Sequence, residues 1–169
     1  MTLPDPRIFG SFNPGATNVL RIGGHKAAIG TLFGDILKTA LPISLALQLD
    51  YSARDSAWLG VFSLLGHCCP IYFSFKGGKG VVSMLTVIVV VLPPLAFLAI
   101  GSWLISFWAF HRSSVASLIT ALIIPIFVSQ FYPTLLSPLS ALSAVVYLRH
   151  KTNIANILQG KEAIIKLSG

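Results

Sequence analysis

Charge is scarce in this sequence. Only 10% of its 169 residues are Asp, Glu, Lys or Arg, against roughly a quarter in an ordinary soluble domain, which excludes a surface clothed for water. Acidic residues are the scarcest, five against twelve Lys and Arg. Cysteine is confined to the neighbours Cys68 and Cys69, whose adjacency excludes a framework of paired bridges. Those two cysteines and the four histidines show no metal-ligand spacing, so no metal is expected. The opening Met1 to Arg7 has neither an apolar run nor a small-residue cleavage site, so no signal peptide is expected.

Apolar residues are abundant, at 54% of the chain and a mean hydropathy of +0.81. They fall into six segments, 29–49, 56–73, 81–92, 95–110, 114–131 and 135–148, and only the first carries charge, Asp35 and Lys38. Residues 81–110 run thirty residues without a charge, about 45 Å as a single helix against a hydrocarbon core of about 30 Å. Pro93 and Pro94 interrupt the run, and an interior proline breaks the backbone ladder, so two spans are expected. Lysine and arginine gather on the cytoplasmic side of membrane proteins. With six spans and the N-terminus inside, ten basic residues from Arg7 to Lys166 lie on that side and only Arg54 lies outside. The expected fold is a single all-α domain over residues 1–169, a polytopic membrane bundle of about six helices. Its helix starts near 29, 81 and 114 are expected to turn their free N–H groups and positive dipole ends to the cytoplasm.

Three segments on that face carry chemistry. The first runs from Gly10 to Arg21 and offers Ser11, Asn13, Thr17 and Asn18 as short hydrogen-bonding groups, with Arg21 as a planar donor fork suited to phosphate. It also reads as a capped loop. The second, Phe75-Lys76-Gly77-Gly78-Lys79-Gly80, brings two ammonium groups and a flexible backbone to a helix N-terminus, as a phosphate dianion requires. Phe73 stands where a Walker A loop needs its first glycine, so nucleotide hydrolysis is not implied. A basic loop that merely sets membrane orientation is the alternative. The third, from Arg149 and His150 through Asn153 to Glu162 and Lys166, ends the last span and continues as an amphipathic tail, which also reads as a surface anchor. Arg112-Ser113-Ser114 opens a helix that could meet an anion. Asp35 and Lys38, three apart on one helical face, can pair for function or for structure. His67 fits a core histidine, a donor to a neighbouring loop, or a proton carrier.

Taken together, GSFNPGATNVLR, GHCCPIYFSFKGGKG and RHKTNIANILQGKE resemble the three signature segments of the bacterial acyl-phosphate:glycerol-3-phosphate acyltransferases, the PlsY family, from about Asp5 to Lys166. The resemblance implies acyl transfer from a fatty acyl phosphate to position 1 of glycerol 3-phosphate, giving lysophosphatidic acid and phosphate at the cytoplasmic face of the bacterial inner membrane. It implies catalytic roles for Ser11, Arg21, His150 and Asn153. Binding roles fall to Asn13, Thr17, Asn18, His67, Lys76, Gly77, Gly78, Lys79 and Ser114, and a structural one to Glu162. It implies no cofactor; the partners are the two substrates and membrane lipid, with contact to the enzyme that makes acyl phosphate left open and no nucleic acid. The family has seven spans, and the first is expected to be absent from this sequence. The proton of the glycerol hydroxyl is expected to go to a substrate phosphate oxygen rather than to His150 or His67. The His-x-x-x-x-Asp signature of other glycerol-phosphate acyltransferases is missing, because none of His25, His67, His111 and His150 has Asp five positions on. On the residues alone, an anion carrier or channel and an inactive membrane paralogue remain as other readings.

Overall fold

A computed structural model describes residues 3–165; Lys166 lies outside the described residues. Within them the chain is helical, in the order α1 (Ala16–Gln48), α2 (Ala53–Cys68), α3 (Val81–Val91), α4 (Pro93–Phe110), α5 (Ser113–Phe131), α6 (Leu136–Arg149) and α7 (Lys151–Leu158). Short 3-10 turns stand at Ile71–Phe73 and Pro133–Leu135. Four segments are long and apolar enough to cross a membrane: Ala16–Gln48, Ala53–Phe73, Pro93–Phe110 and Ser113–Phe131. The other two spans of the expected six are α3 and α6, of 11 and 14 residues, about 16 and 21 Å long. One end of each lies at a cavity, lined by Gly80 and Val81 at the start of α3 and by Arg149 at the end of α6.

The expected break at the two prolines is a reversal of direction. Leu92 leaves helical geometry and Pro93 opens α4, where its missing N–H costs nothing. The start of α3 lines the cavity, and α4 returns to the same side, where the His111 carbonyl just beyond its end accepts from the Ile165 amide at 2.8 Å. The first span differs from its expected bounds. Helix α1 extends back to Ala16 but is broken at Gly24, whose φ of 77° and ψ of −178° are open to glycine because it lacks a Cβ. The break divides α1 into a short helix opening at Ala16, which the sequence reading did not expect, and a long one that starts just after Gly24, a few residues ahead of the expected 29.

Helix α3 forms the centre, with Met84, Val87 and Ile88 wholly buried among Ile43 of α1, Leu64 of α2, Ile124 of α5 and Leu142 of α6. Lipid tails are as apolar as these side chains, so close packing and interhelical hydrogen bonds hold such a bundle. The bonds are present: Thr39 Oγ1 donates to Ser83 Oγ at 3.2 Å, Trp103 Nε1 to Ser117 Oγ at 3.2 Å, and the Tyr147 hydroxyl to the Leu118 carbonyl at 2.8 Å. Each such bond is worth roughly 0.6–2 kcal/mol. Outward faces carry exposed Phe97, Ile105, Trp108 and Leu148, the pattern of a surface that meets lipid.

Candidate active site

The cavity at the ends of α3 and α6 has a volume of about 600 Å³ and draws on all three signature segments. Its chemistry begins with Asn18. This amide is buried at 1% exposure; its Oδ1 accepts from the Ser11 amide at 2.8 Å, and its Nδ2 donates to the Pro6 and Phe9 carbonyls at 3.0 and 2.9 Å. Those bonds fold residues 6–11 back over the start of α1, so Ser11, Asn13, Thr17 and Arg21 all line the cavity. Asn18 lines it too, with its amide committed to shaping that loop.

The glycine-rich strap forms the opposite wall. Arg149 donates from Nε to the Gly78 carbonyl at 3.1 Å and from Nη2 to the Gly77 carbonyl at 3.0 Å. Both carbonyls are thereby turned to a cation, away from any incoming anion. On its other side the strap rests on His67, whose carbonyl accepts from the Gly78 amide at 3.2 Å. A Cβ at Gly77 would fall on that carbonyl and one at Gly78 on the imidazole Nε2, so only glycine permits this approach. The strap separates its two lysines. Lys79 lines the cavity, while Lys76, expected to converge with it, faces a second cavity of about 550 Å³ beyond the strap, as does Gly78. With Arg149 holding both glycine carbonyls, residues 76 and 79 lie on either side of the fixed pair.

The third segment closes the site. Glu162 Oε1 accepts from Asn153 Nδ2 at 2.7 Å and from Ser114 Oγ, tying α7, the start of α5 and the tail together. Arg112 Nε donates to the Glu162 carbonyl at 3.2 Å, fastening the same turn. His150 is 2% exposed and its Nδ1 lies 2.7 Å from the Val146 carbonyl. Burial, with the Lys79 and Arg149 charges nearby, depresses its pKa to about 4, so at neutral pH the ring is uncharged. Its Nδ1 must then carry the proton to satisfy that carbonyl, leaving Nε2 as an acceptor. Lys79 is held below its ordinary value by burial first and by Arg149 and Arg21, with Glu162 pulling the other way. A cation so placed is stabilised by any entering anion.

Asp35 and Lys38, the two charges of the first apolar segment, lie level with His67 near the end of α2. Asp35 and His67 line both cavities, Lys38 only the second. Cavity residues to which the sequence reading gave no individual role include Trp103, Ser117 and Thr152 and, within the third segment, Arg149, Asn156 and Lys161. Arg149 was legible beside His150; Trp103 and Ser117 carry no local signal, because helix packing alone brings them to the wall.

Three helix N-termini, at Ala16, Val81 and Ser113, open on this cavity, together with Arg21, Lys79, Arg149 and Lys161. Such a recess defines a multi-pass membrane protein built to hold anions at one end of its bundle. The chain belongs to the glycerol-3-phosphate acyltransferase family, whose model matches residues 1–160. It is similar to the glycerol-3-phosphate acyltransferases of Pseudomonas fluorescens strain Pf0-1, 43% identical over 160 residues covering 94% of this chain and 84% of that one. The similarity to the enzyme of Shewanella woodyi is 43% over 161 residues, 95% and 80% of the two chains. Among solved structures it resembles PlsY (YgiH), an integral membrane glycerol 3-phosphate acyltransferase. The glycerol 3-phosphate form matches with a TM-score of 0.90 and 34% identity over 96% of this chain and 83% of that one. For the lysophosphatidic acid form the TM-score is 0.86 and the identity 33%, over 93% and 82%.

Proposed function

We propose that this chain transfers a fatty acyl group from an acyl phosphate to the 1-hydroxyl of glycerol 3-phosphate, releasing lysophosphatidic acid and phosphate at the cytoplasmic face of a bacterial inner membrane. The observation that carries the reading is one recess in which Arg21, Lys79 and three helix N-termini meet a neutral, buried imidazole. Both substrates end in phosphate, and two anions must be held together against their repulsion. The cavity ends on the packed core of α3, which favours a reaction chamber over a conduit.

An acyl phosphate is a mixed anhydride with a good leaving group, so positioning and oxyanion stabilisation supply most of the catalysis. The glycerol hydroxyl attacks the acyl carbonyl carbon; a tetrahedral oxyanion forms; the carbon–oxygen bond to phosphate then breaks. His150 Nε2 accepts the hydroxyl hydrogen bond and aims the oxygen. With a pKa of about 4 it is too weak a base to retain the proton, whereas a phosphate dianion protonates near about 6. The proton therefore leaves with phosphate, and the enzyme forms no covalent intermediate. Ser11 and the second N–H of Asn153 are the candidate donors around the reacting carbonyl, with Arg21 and Lys79 on the phosphates, while the Ser114 hydroxyl proton stays committed to Glu162.

The test is turnover of palmitoyl phosphate and glycerol 3-phosphate by the purified chain and its variants. Arg21→Ala and Lys79→Met should each lower kcat/KM by about a hundredfold or more, as loss of a charged contact to a bound phosphate does. Lys76→Met, outside the cavity, should cost clearly less. Equal losses at Lys76 and Lys79 would reject the assignment of the phosphate to the Lys79 side of the strap.

A further inference from the structure

We propose that Lys38, which does not touch the catalytic cavity, is a positioning residue for phosphate capture: it fixes the tautomer of His67 and so makes that ring a donor to the bound anion. The inference rests on the phosphate-binding reading above and extends it to a cluster that the reaction does not itself require.

The geometry is specific. Lys38 Nζ contacts both Asp35 Oδ1 and His67 Nδ1, and Nδ1 stands 3.3 Å from the same carboxylate oxygen. A hydrogen bond between two nitrogens carries one proton. Asp35 is 8% exposed and favours a charged ammonium beside it, so the proton is the lysine's and Nδ1 is the acceptor. The ring proton is left on Nε2. That nitrogen has no acceptor among the described residues, and it lies against Gly78, where a Cβ would collide with it. His67 lines both cavities, and in the catalytic one it stands with Gly77 and Lys79. A neutral ring with Nε2–H there adds a donor without a charge, in a recess already crowded with cations. Were Lys38 lost, the uncompensated Asp35 carboxylate would draw the ring proton to Nδ1, and Nε2 would turn an electron pair toward the phosphate.

Two measurements on the full chain decide this. In ¹⁵N spectra of histidine-labelled protein, His67 of the wild type should carry its proton on Nε2, and Lys38→Met should move it to Nδ1; a wild-type ring protonated on Nδ1 overturns the proposal. In kinetics, Lys38→Met should raise KM for glycerol 3-phosphate by about tenfold, the cost of one hydrogen bond to a charged group, with kcat within about twofold. Lys38→Arg, which keeps the donor, should restore most of the affinity. In a His67→Gln background, where no ring needs orienting, Lys38→Met should add little. A fall in kcat without a change in KM, or the same loss in both backgrounds, would show a merely structural role. If the wild type makes no lysophosphatidic acid, the acyl-transfer reading fails on its own; the tautomer, and calorimetric binding of glycerol 3-phosphate to wild type and Lys38→Met, still decide this one.

Discussion

His150 shows how one side chain's surroundings set its chemistry. In the unfolded chain its imidazole protonates near the ordinary value of about 6.5, while in the folded protein it stays neutral down to about 4. As pH falls between these values the unfolded state takes up a proton that the folded state refuses, so stability contributed by this group drops across that window and is level above it. Thermal unfolding in detergent should therefore show an acid-side decline in Tm from about pH 6.5 to about pH 4 that is reduced in His150→Asn. Activity should show no inflection from His150 near pH 6.5, since the folded ring does not titrate there; an inflection that disappears in His150→Asn would contradict its assigned neutral state. The sequence marks His150 as a candidate, but its protonation state depends on its burial and on the Lys79 charge from the strap ahead of α3, which only the fold brings to it.

At the scale of the elements, the strap from Lys76 to Gly80 ties the site to the bundle. Arg149 reaches it from the end of α6 and His67 from the end of α2, so its shape reports the spacing of two helices far apart in sequence. Gly78→Ala puts a methyl group on the His67 ring. It should lower kcat/KM for glycerol 3-phosphate by about tenfold or more, a cost of the size that overpacking brings, while membrane insertion is unchanged. A variant with wild-type kinetics would show that the strap does not need this close approach. The glycines were legible as a phosphate-gripping pattern, and the prolines at 93 and 94 as a break between spans. The partition of Lys76 from Lys79 was not legible, because it depends on which way Arg149 pulls the intervening carbonyls. Nor was the early start of α1 at Ala16: the small and amide residues after Gly15 look like loop until Asn18 folds the preceding segment onto them.

For the whole molecule, a one-sided concentration of positive charge could by itself be no more than a marker of membrane orientation. The fold gives it a second use. Helices α3 and α6 stop short, leaving a recess walled by longer α1, α4 and α5, and into it turn Arg21, Lys79, Arg149 and Lys161. Arg54 lies at the opposite end, beyond the α1–α2 turn. Membership in the glycerol-3-phosphate acyltransferase family accounts for the acceptor end of the recess; the nature of the acyl donor is the central claim that stands on the two-phosphate chemistry. The most direct test follows ³¹P resonances of purified protein mixed with palmitoyl phosphate and glycerol 3-phosphate. The acyl phosphate signal should fall while lysophosphatidic acid and inorganic phosphate rise in equal amounts, only when glycerol 3-phosphate is present, and palmitoyl-coenzyme A should not substitute. Phosphate release without glycerol 3-phosphate, or product formed as readily from the thioester, would contradict the account.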